Sequence, residues 1–355
     1  MTSRCSSDCH KGPGEPALAE EYSIAEQDCI EELRDCCGCP GWTRYAVFDA
    51  LFLQRSNQTG NQPIVLTLPP ENRTVATTRD LDPTIGTGFR TFYGALTSDR
   101  YGWEIGYLGL WGMFGDVRAS GPDNLRTPEP LYNFINNFGD AHDARATYLS
   151  SLNMAEINVF RYAAREECRQ SCTGTTCTGC DDCSRSCHYL HALLGFVWAG
   201  LNEQANLDMT CCDDKTASYN VRTSNNYFGA QVGMQGRRDW RRWAVEGWWK
   251  TALCGVSASQ ESDPIVDTVV GTDVRPARSA TVGGVGFIGN LNGSLVYRMT
   301  DVWGLRCGYN LIWLTDAALA PSQWDFSDTA ASGTGINNNG SVFLHGANLG
   351  LEARW

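Results

Sequence analysis

The sequence predicts an all-β protein, a closed antiparallel transmembrane β-barrel of about ten strands, with ten to twelve as the range. Three observations predict it: a two-faced carboxy-terminal strand, an even number of strand segments, and links that alternate between short and long. The last strand, residues 341–355, reads SVFLHGANLGLEARW and places Phe343, Leu349 and Trp355 on one face and Asn348 on the other. A strand with one apolar face that ends on Trp is typical of bacterial outer-membrane barrels.

The bulk composition agrees with this fold class. The chain has 355 residues, of which 42% are hydrophobic, 19% charged and 11% aromatic, with 12 Trp and 37 Gly. This mixture suits tightly turned strands with aromatic girdles, and one barrel can occupy such a length as a single domain. The net charge of -12 argues against a nucleic-acid partner, because such binders need a basic surface.

The first 41 residues differ from the rest of the chain. Ser23 and Glu26 form a capping box, which predicts a helix that runs to about Cys37. We therefore expect two regions: a Cys-rich helical periplasmic appendage at 1–41, and an outer-membrane barrel at 42–355.

Ten segments from Thr43 onward are predicted to be strands. They are 43–55, 85–96, 102–113, 147–162, 188–206, 217–235, 239–257, 281–298, 301–315 and 341–355. In the seventh, Trp243 and Trp249 lie on one face, and Glu246 and Lys250 on the other. Charges on one face suit a hydrated lumen and would be costly against lipid.

The links between these segments support the same topology. Links from even to odd strands are short, at 97–101, 236–238 and 299–300, whereas links from odd to even strands are longer, from about 10 to about 33 residues. Short turns belong to the periplasmic rim of outer-membrane barrels. The exception is a Cys-rich insert at 163–187, which would lie on the periplasmic rim together with the appendage.

The cysteines indicate an oxidising compartment. The chain has 16 of them, and such a density favours a periplasmic or external location. The longest nearly apolar run, Leu190–Leu201, is too short for a membrane helix of about 20 residues. The opening residues MTSRCSSDCHKGPGEP lack the apolar core of an export signal, so we interpret the chain as a mature form or one with a mis-set start.

Ten charged residues are predicted to point inward and line the lumen. They are Asp49, Glu104, Glu156, Glu203, Arg242, Glu246, Lys250, Arg306, Glu352 and Arg354. Two interpretations stay open: a salt-bridged network that fills a narrow barrel, or the lining of a small pore with charge selectivity. Six aromatic residues are predicted to face the membrane: Trp243, Trp249, Trp303, Tyr309, Trp313 and Trp355.

Twelve cysteines in two clusters are candidates for disulfides. They are Cys5, Cys9, Cys29, Cys36, Cys37, Cys39, Cys168, Cys172, Cys177, Cys180, Cys183 and Cys187. Six cysteines allow 15 pairings, so the spacing leaves the connectivity open. Of the other four, Cys254 and Cys307 should point to opposite sides of the wall as reduced residues, and Cys211 and Cys212 are expected to be free or paired elsewhere.

A cofactor is the alternative use of these cysteines. Cys5, Cys9 and His10, and likewise Cys183, Cys187 and His188, form C-x-x-x-C-H, one residue longer than the motif that attaches c-type haem. Zinc bound by Cys177, Cys180 and Cys183 is a second alternative. Because the haem spacing is off by one residue, we predict that the chain binds no cofactor and holds no metal site.

Several segments resemble a known family. They are RYAVFDALFLQRS, GWEIGYLGLWG, AEINVFR, LLGFVWAGLNE, YRMTDVWGLRCGYNLIWLTDAALAP and VFLHGANLGLEARW. Across residues 43–355 the chain resembles the planctomycete outer-membrane family called beta-barrel protein seven. That family has no assigned activity, so the resemblance implies an outer-membrane location and a barrel fold but no activity.

The function predicted from these features is non-catalytic. We expect a structural or interaction role in the bacterial cell envelope, with the lipid bilayer as partner and a homo-oligomer or envelope proteins as further partners. Asp140 and His142 could act as a general base, but no serine elbow accompanies them, which favours a solvated loop. The alternatives are a narrow porin-like channel for small solutes and an electron conduit that carries haem or metal. A secreted β-sandwich is a further fold alternative.

Overall fold

The described residues form a closed barrel. The computed structural model describes residues 44–96, 101–166, 186–240 and 242–355. Ten long strands pair antiparallel in a ring, which closes where the first strand meets the last and Tyr45 lies opposite Arg354. The predicted all-β, ten-strand antiparallel barrel is confirmed.

Fourteen strands lie in the described residues. They are β1 (Arg44–Ser56), β2 (Pro63–Thr67), β3 (Thr74–Thr77), β4 (Gly86–Leu96), β5 (Tyr101–Arg126), β6 (Ala141–Glu166), β7 (Ser186–Cys211), β8 (Lys215–Trp240), β9 (Trp243–Ser262), β10 (Ile265–Asp267), β11 (Thr272–Arg275), β12 (Arg278–Arg298), β13 (Trp303–Ala317) and β14 (Gly340–Arg354). The ring follows the order β1, β14, β13, β12, β9, β8, β7, β6, β5, β4. The short strands β2, β3, β10 and β11 belong to the loops.

Single-turn helices complete the loops, at Thr78–Asp80, Leu131–Phe134, Asn136–Gly139 and Ala320–Gln323. No helix in the described part of the chain is long and apolar enough to cross a membrane.

The outer wall carries a belt of exposed apolar side chains. On β8, Phe228, Val232, Met234 and Trp240 are 38 to 52% exposed. Beyond Phe228, the outward residues of β8 are polar: Asn226, Ser224, Arg222, Asn220, Ser218 and Thr216. The outward face from Phe228 to Trp240 is apolar except for Arg238 near the end of the strand. At about 3.3 Å per residue and a tilt near 40°, this stretch is roughly 30 Å tall, which matches a bilayer core.

Neighbouring strands change from apolar to polar at the same height. Leu253 on β9 and Val285 on β12 are exposed and lie within two register positions of Phe228, whereas Ser257 and Thr281 lie beyond them. We call this band the apolar belt, and the part of the barrel beyond it, with its loops, the head. The other end, which holds Arg44 and Trp355, is the terminal rim.

Four strands are longer than the sequence predicted. Each of β5, β6, β7 and β8 has 26 residues and extends far into the head. The predicted long link between the fifth and sixth segments is therefore wrong: it is a tight turn at residues 212–214, where Asp213 and Asp214 have φ of 56° and 57°. The sequence pattern does not distinguish these strand extensions from loops, because their outward residues are polar.

The interior is filled in three layers. Charged side chains occupy the third nearest the terminal rim, and apolar residues such as Leu53, Leu110, Leu152 and Leu314 fill the middle. Above them, the loops fold into the head and build a second apolar core with Phe138, Tyr148, Tyr219, Trp324 and Phe326. The head is thus packed like the interior of a soluble domain.

Some predictions fall outside the described residues. The helical appendage at 1–41 and residues 167–185 of the insert predicted at 163–187 lie there, with eleven of the twelve candidate disulfide cysteines. The two ends of that insert belong to β6 and β7. Cys187 has a described backbone position in β7, opposite Asp239.

Candidate functional site

Twelve charged side chains meet in the lumen near the terminal rim. The carboxylates are Asp49, Glu104, Glu156, Asp239, Glu246 and Glu352, and the cations are Arg90, Arg237, Lys250, Arg298, Arg306 and Arg354. We call this set the lumen charge network. Six negative and six positive groups balance, so the set has no formal net charge.

Glu246 and Glu352 form the centre of the network. Arg237 reaches Glu246 at 2.6 Å with one guanidinium nitrogen and Glu352 at 2.8 Å with the other. Arg306, which has no exposed surface, approaches Glu352 at 3.0 Å and Asp49 at 3.4 Å. These side chains come from β8, β9, β13, β14 and β1, so the network joins strands across the barrel.

Lys250 organises a second cluster. Its ammonium lies 3.0 Å from Glu104 and 2.7 Å from Glu156. The hydroxyl of Tyr45 donates to Glu104 at 2.6 Å, and the amide of Gln231 donates to Glu156 at 2.7 Å. Each carboxylate thus has both an ionic and a neutral partner, which a buried charge requires.

Asn residues extend the network across the lumen. The Arg90 guanidinium pairs with Asp49, lies 4.6 Å from the Trp248 ring and donates to Asn310 at 2.6 Å. Asn310 in turn donates to Asn348 at 2.9 Å. Amides and charges therefore occupy this section of the barrel together.

The structure brings eight of the ten predicted lumen residues into this network. Glu203 also points inward but lies higher, where it pairs with Arg55 at 2.6 Å and accepts the Ala320 backbone N–H at 3.0 Å. The prediction that Arg242 lines the lumen is wrong. This residue lies exposed in the turn before β9, where its guanidinium donates to the Tyr297 hydroxyl at 3.4 Å, because the strand begins only at Trp243.

Five charged lumen residues were missed by the sequence reasoning: Arg55, Arg90, Arg237, Asp239 and Arg298. The first four are at most 5% exposed, and the side chain of Arg298 is 27% exposed. Strand parity could have found Arg90, because it alternates with the outward Phe89 and Thr91. Parity could likewise have found Arg237, which lies between the outward Gly236 and Arg238.

The aromatic residues predicted to face the membrane all lie on the outer wall. Their exposed fractions run from 46 to 50% for Trp243, Trp249, Trp303, Tyr309, Trp313 and Trp355. Three of them, Trp243, Trp303 and Trp355, lie at the terminal rim, and Trp313 lies at the head side of the belt. Aromatic residues therefore flank the belt on both sides.

Four cysteines can be described with their side chains, and all four are free thiols: Cys211, Cys212, Cys254 and Cys307. Cys254 is buried and Cys307 exposed, so they face opposite sides of the wall. Burial and the neighbouring Cys212 raise the pKa of Cys211 to about 12. This thiol at the tip of the head is therefore protonated at neutral pH.

The lumen leaves almost no free space in the described residues. Network side chains other than Arg298 are at most 11% exposed. A void between Tyr45, Phe160 and Arg237 measures about 10 Å³, which is room for about one water molecule. The described part of the lumen is thus filled by side chains.

The head carries a cavity of about 520 Å³. We call it the head cleft. Its lining includes Tyr132, Phe134, Asp140, Val270 and Val274. Phe134 is 51% and Val270 64% exposed, so two apolar side chains and the exposed carboxylate of Asp140 face solvent there.

Asp267 fixes the two loops that form the cleft. One carboxylate oxygen accepts the backbone N–H of Asn136 at 3.0 Å and its side-chain amide at 2.9 Å. The other oxygen accepts the N–H of Val269 at 2.9 Å. Asn137 adds a bond from the Thr268 N–H at 3.1 Å, so the cleft is held in shape by hydrogen bonds between its loops.

Asp325 holds the loop that fills the head from the other side. Its carboxylate accepts the N–H groups of Ser327 and Gly333, both at 2.9 Å. Burial alone would raise the pKa of Asp325, but these hydrogen bonds and the charge of Arg275 lower that pKa below its usual value.

The described residues contain no group of three or more His, Cys, Asp or Glu side chains placed to hold a metal ion. The side chains of the predicted haem and zinc alternatives lie outside the described part of the chain. Those alternatives stay predictions.

Comparison with known proteins finds only distant structural similarity. No protein-family model and no curated protein matches the chain. Among solved structures, the outer membrane protease OmpT from Escherichia coli is similar with a TM-score of 0.47 and 11% identity, covering 88% of this chain and 97% of OmpT. The translocator domain of autotransporter NalP from Neisseria meningitidis follows with a TM-score of 0.33 and 7% identity, covering 95% and 97%.

A FadL homologue of Pseudomonas aeruginosa is similar with a TM-score of 0.26 and 8% identity, covering 88% of this chain and 90% of the homologue. These likenesses are too distant to carry an activity. The resemblance to the planctomycete family also stays a prediction.

Proposed function

We propose that this chain is an outer-membrane barrel with a non-catalytic structural and interaction role, in which the belt anchors the protein and the head contacts partners. The filled, charge-balanced lumen carries the proposal. A pore needs a continuous water-filled path, whereas here paired charges and an apolar layer occupy the lumen. The belt, about as tall as a bilayer core, supports the membrane location.

The arrangement of the charged residues also supports a role without catalysis. The network carboxylates are held by arginine, lysine and amide partners and are shielded from solvent, so a substrate has no access to them. In the head, His142 lies 3.6 Å from the exposed Asp214 at the outer surface. Neither position combines a cleft with a nucleophile.

The head cleft is the surface we assign to partner contact. Phe134 and Val270 expose apolar area on loops that Asp267 holds rigid, and preformed concave sites of this size are typical of binding surfaces. The narrow channel remains the alternative function, and it makes the opposite prediction about conductance.

Recordings from planar lipid bilayers test this proposal. We expect purified protein to resist alkaline extraction from membranes and to give no unitary conductance steps after insertion. Reproducible conductance steps would overturn the structural role in favour of the narrow channel. Release by alkaline extraction would contradict the membrane location itself.

A further inference from the structure

The strands of the ring differ in height, and this difference leaves one edge of β12 without a neighbouring strand. The register between β12 and β13 ends where Ile288 lies opposite Leu314. Beyond this point β13 turns inward at Asp316, which has φ of 61°, and the following residues 317–320 are buried. β12 continues into the head as far as Arg278 and pairs there with β9 on its other side.

We call residues 279–285 of β12 the β12 edge. The backbone N–H of Phe287 points toward β13, where it donates to the Thr315 hydroxyl at 3.0 Å. Peptide groups point to alternate sides along a strand, so every second residue before Phe287 directs its N–H and C=O the same way. These residues are Ser279, Thr281, Gly283 and Val285, and all four are exposed. Among the described residues, no group bonds to these N–H and C=O groups.

The other tall edge of the sheet, on β5, is protected where it rises beyond β4. Near the two ends of this stretch, backbone carbonyls of β5 accept the N–H groups of Thr84 and Leu68. Between them, Asp116 and Arg118 expose charged side chains. Charges on an edge strand discourage pairing with another chain. The β12 edge contains no charged residue and no proline, so it lacks this protection.

The inner side of the β12 edge presents small apolar residues between two charges. Ala280 and Val282 point inward and are partly exposed. At one end lies Arg278, whose buried Nε has no hydrogen-bond partner among the described residues. At the other end, the carboxylate of Asp316 lies beside Gly284, and one of its oxygens has no described partner either. The stretch between the two charges is about 20 Å long, which is the length of an ordinary strand.

We propose that the β12 edge binds an extended peptide segment of another protein as an added antiparallel strand. In this mode of recognition, main-chain hydrogen bonds supply affinity and alternate side chains supply specificity. The antiparallel direction continues the sheet of the barrel. The segment that fits has a basic residue beside Asp316, an acidic residue beside Arg278 and small apolar residues between them on the same face.

Two other occupants do not fit this geometry. A second copy inserted in the same direction has its β12 in the same direction and tilt, so two β12 edges cannot pair antiparallel. The parts of this chain outside the described residues join it at the terminal rim, as at Arg44 and Glu166, so the bilayer separates them from the β12 edge. This step rests on the proposed membrane location.

Binding of a labelled peptide to the full chain in lipid nanodiscs tests the proposal. The probe is Lys-Thr-Val-Thr-Val-Thr-Glu, which in antiparallel pairing brings its lysine to Asp316 and its glutamate to Arg278. The isomer with lysine and glutamate exchanged has the same composition. We expect fluorescence anisotropy to show about fivefold tighter binding of the probe than of the isomer. Equal binding of the two would contradict the assigned direction and charges.

Methylation of the peptide backbone tests the main-chain pairing. A probe that carries a methyl group on every backbone nitrogen keeps its side chains but has no N–H to donate. We expect it to bind at least about tenfold more weakly than the unmethylated probe. Binding of the same strength would overturn the added strand.

A single substitution in β12 makes the corresponding change in the protein. Thr281→Pro removes an N–H from the β12 edge and leaves the bonds to β9 in place, so the probe should bind at least about tenfold more weakly. Thr281→Val keeps this N–H and should bind the probe as the native chain does. Unchanged binding to the proline variant would overturn the inference. A shift of gel mobility on heating shows that each variant has folded.

Arg278→Gln is the second variant, which tests the β12 edge without a change to its backbone. It should reduce the preference for the probe over its isomer, because that preference depends on the charge at this position. A preference as large as that of the native chain would contradict the assignment of Arg278.

Amide hydrogen exchange of the full chain in nanodiscs identifies the cause of a failure. We expect the N–H groups of Thr281 and Gly283 to exchange at least about tenfold more slowly when the probe is bound. Slow exchange in the free protein would mean that the β12 edge is already occupied, which contradicts the inference. If the chain does not enter nanodiscs, the proposed membrane location fails, whereas insertion without probe binding contradicts the β12 edge alone.

Discussion

Arg306 is the residue on which most of the lumen depends, because it has no exposed surface and joins Glu246, Glu352 and Asp49. Arg306→Leu leaves three carboxylates with one fewer cation in a dry interior. We expect the free energy of unfolding to fall by about 3 to 5 kcal/mol, which is the usual result of removing one partner from a buried charge cluster. Urea titration of protein folded in vesicles measures it.

Arg118→Leu is the control for this substitution. Its side chain is 63% exposed and lies 3.7 Å from Asp116 on the outside of the head. Exposed ion pairs contribute little, so the free energy of unfolding should change by less than about 0.5 kcal/mol. Similar losses in both variants would mean that the lumen charges do not stabilise the fold through their contacts.

Asp325 gives the head a dependence on pH. Its pKa is lowered in the folded protein, so its stabilising contribution is present above the pKa of the unfolded chain, about 3.9, and is lost as pH falls through the folded value. We expect native protein to exceed Asp325→Asn in urea midpoint at pH 7, with the gap shrinking below about pH 4. A gap that stays constant with pH would contradict this assignment.

At the scale of elements, Gly112 determines which residues of β5 point inward on either side of a bulge. It has φ of +75° at a bulge, and the register with β6 shifts between Leu110 and Met113. The bulge exchanges the two faces of the strand, because Trp111 points outward and Met113 points inward and is fully buried. One glycine thereby keeps apolar side chains outside in the belt and inside in the head.

Gly112→Ala should destabilise the fold by about 1 to 2 kcal/mol, because an L-residue is strained at this φ. Space is not the cause, since a Cβ at Gly112 would meet nothing within 4 Å. Gly60→Ala is the control, because that position is equally open and its φ lies outside the strained range. Thermal unfolding of both variants measures the difference, and equal melting temperatures would contradict a conformational cause.

The barrel strands could be predicted from the sequence because inward and outward residues alternate on each of them. The ends of β5 to β8 could not be predicted, since beyond the belt their outward face contacts water and has the polar composition of a loop. The partners of the charged lumen residues could not be predicted either. Arg90 meets Asn310 across 220 positions of sequence, and only the register of the closed ring sets that distance.

At the scale of the whole molecule, the change from apolar to polar on the outer wall fixes the depth of insertion. Leu291 and Thr281 both point outward on β12, one in the middle of the belt and one in the head. Leu291→Arg should lower the free energy of unfolding in a bilayer by about 2 to 4 kcal/mol, and Thr281→Arg should leave it nearly unchanged. Unfolding titrations in vesicles compare the two.

Equal losses in the free energy of unfolding for Leu291→Arg and Thr281→Arg would mean that the bilayer lies elsewhere on the outer wall. The same pair measured in detergent micelles should differ less, because a micelle adapts to a charge more easily than a bilayer does.

The balance of six acidic and six basic groups in the lumen charge network has a consequence for the cell that carries this protein. A membrane potential exerts no net force on this network because its charges balance. The packed side chains leave ions no route through the described part of the lumen. In the structural role proposed above, leakage therefore does not limit how many copies a membrane can hold. A cell could cover much of its surface with this protein and keep its permeability barrier intact.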